Sequence, residues 1–142
     1  MRSHTRGGLL IVDGIAVALA IAAGLTVAAP SPASAAPDDD SVRAVLDRMN
    51  GSYNRSDFDA FAAHLCNTML QAAGFKASWY QSRLSDGPTR ITVNAVDVAG
   101  DDAVANVRFE AANRKDPTTL EIDFRRQGTE WKACRYHQGR SV

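Results

Sequence analysis

The stretch ITVNAVDVAGDDAVANVRFEA, Ile91 to Ala111, decides the fold class, because the apolar residues here recur every second position. Ile91, Val93 and Ala95 alternate with polar neighbours, the AGDD segment (Ala99–Asp102) turns, and Ala103, Ala105, Val107, Phe109 and Ala111 then face one way. A period of two is the signature of a half-buried strand. The phase slips between Ala95 and Val96, which predicts a bulge or a strand end there. The pattern continues downstream. NRKDP (Asn113–Pro117) makes the next connection, and Leu120, Ile122 and Phe124 oppose Glu121, Asp123 and Arg125 along a third strand. QGTE (Gln127–Glu130) then turns into a last strand, WKACRYH, from Trp131. Four strands joined by short turns predict an antiparallel meander with one face covered.

Upstream, the period is that of a helix. Val42, Val45, Leu46, Met49 and Tyr53 form a single apolar stripe, predicting a helix over 41–53. Ala36 to Asp40 reads as a short flexible lead whose three aspartates sit at the helix start, where the dipole favours them. NRSDFDAF restarts the chain: Ser56 is the expected N-cap, Asp57 and Asp59 fall in the first turn, and Phe58, Phe61, Ala62 and Leu65 form a second stripe. After Gly74, FKASWYQSRL predicts a third helix that Asp86-Gly87-Pro88 ends. Three helices followed by four strands make an α+β arrangement, with N-terminal helices packed on the sheet.

The first 35 residues read as a signal peptide. Arg2, His4 and Arg6 precede the apolar run Gly14–Ala29, and Ala33-Ser34-Ala35 matches the small-x-small cleavage pattern. The run is shorter than the roughly 20 residues that span a bilayer. An uncleaved N-terminal anchor is the rival reading. Cleavage after Ala35 leaves 107 residues with 14 basic and 15 acidic side chains, a near-neutral chain without the basic surface that nucleic acid requires. The divisions expected are therefore a signal peptide (1–35), a lead (36–40), a single domain (41–138) and a tail (139–142). The mature chain keeps two cysteines, Cys66 and Cys134. An even count in an exported domain argues for one disulfide, stabilising by roughly 4 kcal/mol on the chain-entropy model. A reactive thiol and a metal pair are the alternatives, and the missing CxxC spacing weighs against metal.

A first helix ending near YN, then DFDAFAAHLC opening a second, then a meander closing on EWKAC, resembles the nuclear transport factor 2-like superfamily (the SnoaL-like or cystatin-like cone). More narrowly it is similar to small exported actinobacterial domains of that superfamily. The resemblance implies a curved sheet that wraps a helix and leaves a pocket, and Trp79, Tyr80 and Trp131, with Tyr53, are the aromatics to line or close that pocket, with simple core packing as the alternative. Catalytic relatives place an Asp or His inside the cone with a Tyr donor. The counterparts to weigh here are His64 or Asp97 as base and Tyr53 as donor, each with a bland alternative: a boundary histidine, a strand-end carboxylate, a core tyrosine. His137 is expected to be exposed. Asp57 and Asp59, at i and i+2 on a helix, point apart and cannot share a proton. NGS at Asn50 and NRS at Asn54 match the glycosylation pattern and are expected unmodified in a bacterial product.

No hydrolase elbow, zinc-protease motif, P-loop or dinucleotide turn is present in the sequence, so no cofactor and no metal is expected. Three functions compete. The leading one is a secreted, non-catalytic domain that binds a small apolar ligand or an envelope protein partner. The second is an isomerase- or cyclase-type enzyme using the cone pocket. The third is a structural homodimer formed through an apolar open face of the sheet.

Overall fold

The computed structural model describes residues 37–139. The expected signal peptide and its cleavage site, and residues 140–142 of the tail, lie outside the described residues. Helix α1 spans Asp38–Asn54, α2 Phe58–Ala62, α3 Asn67–Leu70 and α4 Phe75–Asp86. Strands β1 (Thr89–Ala99), β2 (Asp102–Ala111), β3 (Thr118–Gln127) and β4 (Glu130–Gln138) come next, forming one antiparallel sheet in the order β1-β2-β3-β4. The α+β meander read from periodicity is the architecture observed, with four helices in place of three.

Helix α1 begins inside the segment expected to be a flexible lead. Asp38, Asp39 and Asp40 occupy its first turn, after Pro37, and Asp38 pairs with Arg126 at 2.7 Å. Acidic side chains favour the helix start, and the ion pair ties it to β3. The buried stripe of α1 is Val42, Val45, Leu46 and Met49. It meets Ala105, Val107, Ile122 and Phe124 from the sheet, all of them at most 2 % exposed.

The second helix differs from expectation. Ser56 is not its cap: the residue takes a left-handed backbone (φ 55°), and Asp57 caps instead, accepting from the Ala60 N–H at 3.1 Å. The helix ends at Ala62, short of the predicted stripe, because His64 and Leu65 leave it to run beside β4. The Ala133 N–H donates to the His64 carbonyl and the Cys66 N–H to the Ala133 carbonyl, both at 2.8 Å. This short parallel bridge covers the free edge of β4, which would otherwise present unpaired backbone groups. Cys66 and Cys134 form a disulfide at this point.

Two register shifts shape the sheet. In β1 the shift falls between Val93 and Ala95, so Asn94 is the extra residue and Val96 and Val98 take up the inward phase opposite Ala105 and Ala103. Ala95, expected to face the core, is exposed, and the bulge lies just ahead of the predicted slip. In β4 the shift is opposite Asp123 and Phe124, whose partners are Arg135 and Ala133. Cys134 is the extra residue. Before it Trp131 and Ala133 point inward; after it Tyr136 does so, opposite Ile122, while Arg135 and His137 point outward to Asp123 and Glu121. Each bulge bends its strand and re-aims the side chains beyond it.

Candidate functional site

A cavity of about 400 Å³ opens between the helices and the inward face of the sheet. Its helical wall is Leu46, Met49 and Tyr53 from α1, Phe61 from α2, and Phe75 and Trp79 from α4. The sheet supplies Ile91, Phe109, Leu120, Ile122 and Tyr136. The exposed lining residues Arg114, Asp116, Thr118 and Gln138 mark the mouth. Volume and lining match the usual form of a small-molecule site, apolar with a few convergent polar groups.

Polar contacts hold the mouth in shape. Asn54 clamps the start of β1, accepting from the Thr89 N–H and donating to the Thr89 carbonyl, each at 2.8 Å. Asn50 donates to the same carbonyl and accepts from the Thr89 hydroxyl at 2.7 Å. The two glycosylation-pattern asparagines thus spend their amides joining α1 to β1. On the other side, Arg114 of the β2–β3 connection donates to Asp86 at 2.6 Å, and the Asn113 N–H donates to the Asp86 carbonyl at 2.9 Å. The Asp86 carboxyl is held below the usual carboxylate range: burial works to raise it, but the Arg114 bond and charge and the Ser85 and Ser82 hydroxyls outweigh that. A carboxylate so stabilised is a weak base at neutral pH.

Tyr53 is committed as well. Ser82 donates its single hydroxyl hydrogen to Asp86 at 3.3 Å, so the 2.8 Å contact between Tyr53 and Ser82 is a bond that Tyr53 donates. The chain Tyr53–Ser82–Asp86–Arg114 is a closed network in which the phenol proton already has its acceptor.

The other sequence candidates are scattered. His64 does not line the cavity; its ring is half-buried beside the β4 bridge, and burial, followed by the Arg48 and Lys132 charges, lowers its pKa below the ordinary histidine value. Asp97 is exposed, opposite Val104 on the outward face. Neither proposed base therefore meets Tyr53 across the cavity. Of the four aromatics expected at a pocket, Tyr53 and Trp79 line it. Tyr80 is 39 % exposed on the outer side of α4, and Trp131 is packed in the core beneath the Arg126 guanidinium, 4.7 Å from its ring centre. His137 is half-buried, with Asp123 3.0 Å from one ring nitrogen.

Sequence reasoning missed Tyr136, Asp86, Ser82 and Arg114. Asp86 was legible only as a turn residue. Tyr136 was hidden by the bulge at Cys134; the one signal was that strict alternation from Trp131 would have buried Arg135. Among the described residues no group of three or more His, Cys, Asp or Glu is placed to hold a metal, and no helix is long and apolar enough to cross a membrane. The outward face of the sheet carries the Arg108–Glu110, Arg125–Asp102 and Arg135–Asp123 pairs, with Val104 an exposed large apolar side chain among them.

Solved structures with this arrangement settle the fold. An NTF-2 like protein of unknown function from Shewanella oneidensis superposes with a TM-score of 0.53 at 17 % identity, over 69 % of this chain and 95 % of that one. The fold is NTF2-like. An NTF2-like protein of unknown function from Shewanella baltica gives a TM-score of 0.51 at 12 % identity, over 72 % of this chain and 94 % of that one. TsrD from Streptomyces laurentii gives 0.52 at 18 % identity, over 70 % and 87 %. No family model matches the chain, and no curated protein matches it.

Proposed function

We propose that this chain is an exported domain of the small actinobacterial NTF2-like kind, and that it binds a small apolar molecule between helices and sheet. The observation that carries this reading is the cavity itself: about 400 Å³, walled by aromatic and aliphatic side chains. Core side chains normally pack with few voids larger than a water molecule, so a space of this size with apolar walls is disposed to take up an apolar guest. The disulfide fits an oxidising compartment. A binding role asks for no catalytic base, which agrees with the position of His64 and Asp97 away from the cavity.

Thermal-shift screening of the mature chain with neutral lipids, steroids and fused aromatics tests the proposal. A ligand present at a hundred times its dissociation constant stabilises by about 2.7 kcal/mol, a shift of many degrees in a domain of this size. Absence of any shift across the panel refutes it. N-terminal sequencing of the protein recovered from culture medium tests export separately, with Ala36 as the expected first residue.

A further inference from the structure

Tyr136 is a cavity residue whose hydroxyl the fold leaves unspent; the Trp79 indole N–H, buried in the same lining, also has no partner among the described residues. Its inward position depends on the bulge: Cys134 is the extra residue of β4, and without it Arg135 would face the cavity and Tyr136 the solvent. The side chain lies opposite Ile122, in a cavity whose wall also includes Leu46, Leu120 and Phe109. Tyr53 gives its proton to Ser82, but among the described residues nothing hydrogen-bonds the Tyr136 hydroxyl. Burial pushes this phenol far above its ordinary range, so it stays protonated and available as a donor. Tyr136 is only half-buried and its hydroxyl is accessible rather than enclosed in protein, so a molecule entering the cavity can accept a hydrogen bond from it.

The geometry points to Tyr136 as the ligand-anchoring residue of the cavity, donating a hydrogen bond to an uncharged acceptor oxygen on an otherwise apolar molecule. The charges at the mouth agree with an uncharged guest. Asp86 and Asp116 stand against the single guanidinium of Arg114, which is already bonded to Asp86, so a ligand carboxylate meets a surplus of negative charge and no free cation among the residues lining the cavity. This inference rests on the binding function proposed above and adds the class of ligand.

Three naphthalenes of similar shape separate the anchor from the binding function. Titration of wild-type mature chain and of Tyr136→Phe by calorimetry uses 2-acetylnaphthalene (neutral acceptor), 2-ethylnaphthalene (no acceptor) and 2-naphthoate (anionic acceptor). The expected result is that Tyr136→Phe weakens binding of the ketone roughly three- to tenfold, the span of one neutral hydrogen bond, and leaves the hydrocarbon unchanged. The naphthoate should bind the wild type more weakly than the ketone does. Ketone affinity unaltered by Tyr136→Phe, or naphthoate bound more tightly than ketone, overturns the assignment while leaving the cavity a binding site. Failure of both neutral probes to bind either protein overturns the binding function as well. Tyr136→Phe should also melt at or above the wild-type temperature, since it removes a polar atom without a partner. A fall of several degrees would reveal a protein acceptor for the hydroxyl and overturn the assignment independently.

Discussion

If the cavity is kept open for a guest, filling it should strengthen the protein and weaken binding together. Ala111 gives the cleanest test, since its methyl lies in the cavity wall near the mouth, at the end of β2 opposite Thr89. Ala111→Leu adds three carbons to a space of about 400 Å³, so it enters existing room rather than displacing neighbours. Each methylene taken from water is worth about 0.8 kcal/mol, an upper bound near 2.4 kcal/mol for three. Ordering the leucine side chain costs about 0.5–1 kcal/mol, and the half-exposed position removes part of the gain. A net stabilisation of about 1 kcal/mol remains, equivalent to a rise in Tm of about 4–8 °C for a domain of this length. Differential scanning calorimetry measures the rise, and titration with 2-ethylnaphthalene measures the loss of affinity, expected at tenfold or more. A drop in Tm would mean that the wall at Ala111 is already close-packed. Unchanged affinity in a stabilised variant would mean that probes bind elsewhere. Either result refutes the reasoning.

The network around the mouth and the helix joins carry further predictions. The Asp86 pKa is depressed on folding, so its contribution to stability is complete above the ordinary carboxylate value and is lost as pH falls through the lowered one; Arg114→Ala should flatten acid unfolding in that window, measured by urea titration at stepped pH. His64 is also depressed, so protonation favours the unfolded chain below the ordinary histidine value, and His64→Gln should remove the corresponding loss of stability around pH 6. The Cys66–Cys134 bond spans 68 residues, and the paired Cys66→Ala, Cys134→Ala variant should lose about 4 kcal/mol in chemical denaturation. Asp57→Ala should cost about 1 kcal/mol through the lost cap, whereas Ser56→Gly should stabilise by up to about 1 kcal/mol by relieving a left-handed backbone; equal effects at the two positions would contradict the cap assignment.

The strands were legible because each buries one face and so carries a period of two, and the inward residues of β2 and β3 keep that period without interruption. The helices were legible where they are long. Across α2 and α3, each five residues or fewer, a 3.6 period has too few turns to register, and the chain leaves helix at Ala63 for a backbone pairing of His64 and Cys66 with Ala133, far away in sequence, that leaves no local mark. Ser56 and Asp57 are both good caps by composition, and only the backbone angle separates them. The bulges limited the reading of the site most. One extra residue moves every later side chain to the other face, so the same letters WKACRYH predict an inward His137 by strict alternation and yield an inward Tyr136 in the fold. The mouth network was invisible for a different reason: Asp86 and Arg114 meet across 28 residues, between a helix end and a strand connection.

An extra residue in a strand behaves like a dislocation in a crystal. Every residue beyond it takes the face opposite to the one that strict alternation from Trp131 would give, which is what brings Tyr136 opposite Ile122. Here the extra residue is a cysteine, bonded to Cys66 beside the Leu65–Ala133 bridge. The covalent link ties the dislocation to the segment that covers the edge of β4. The residue whose insertion decides that a phenol, and not a guanidinium, faces the cavity is thus bonded to a partner that lies outside the cavity.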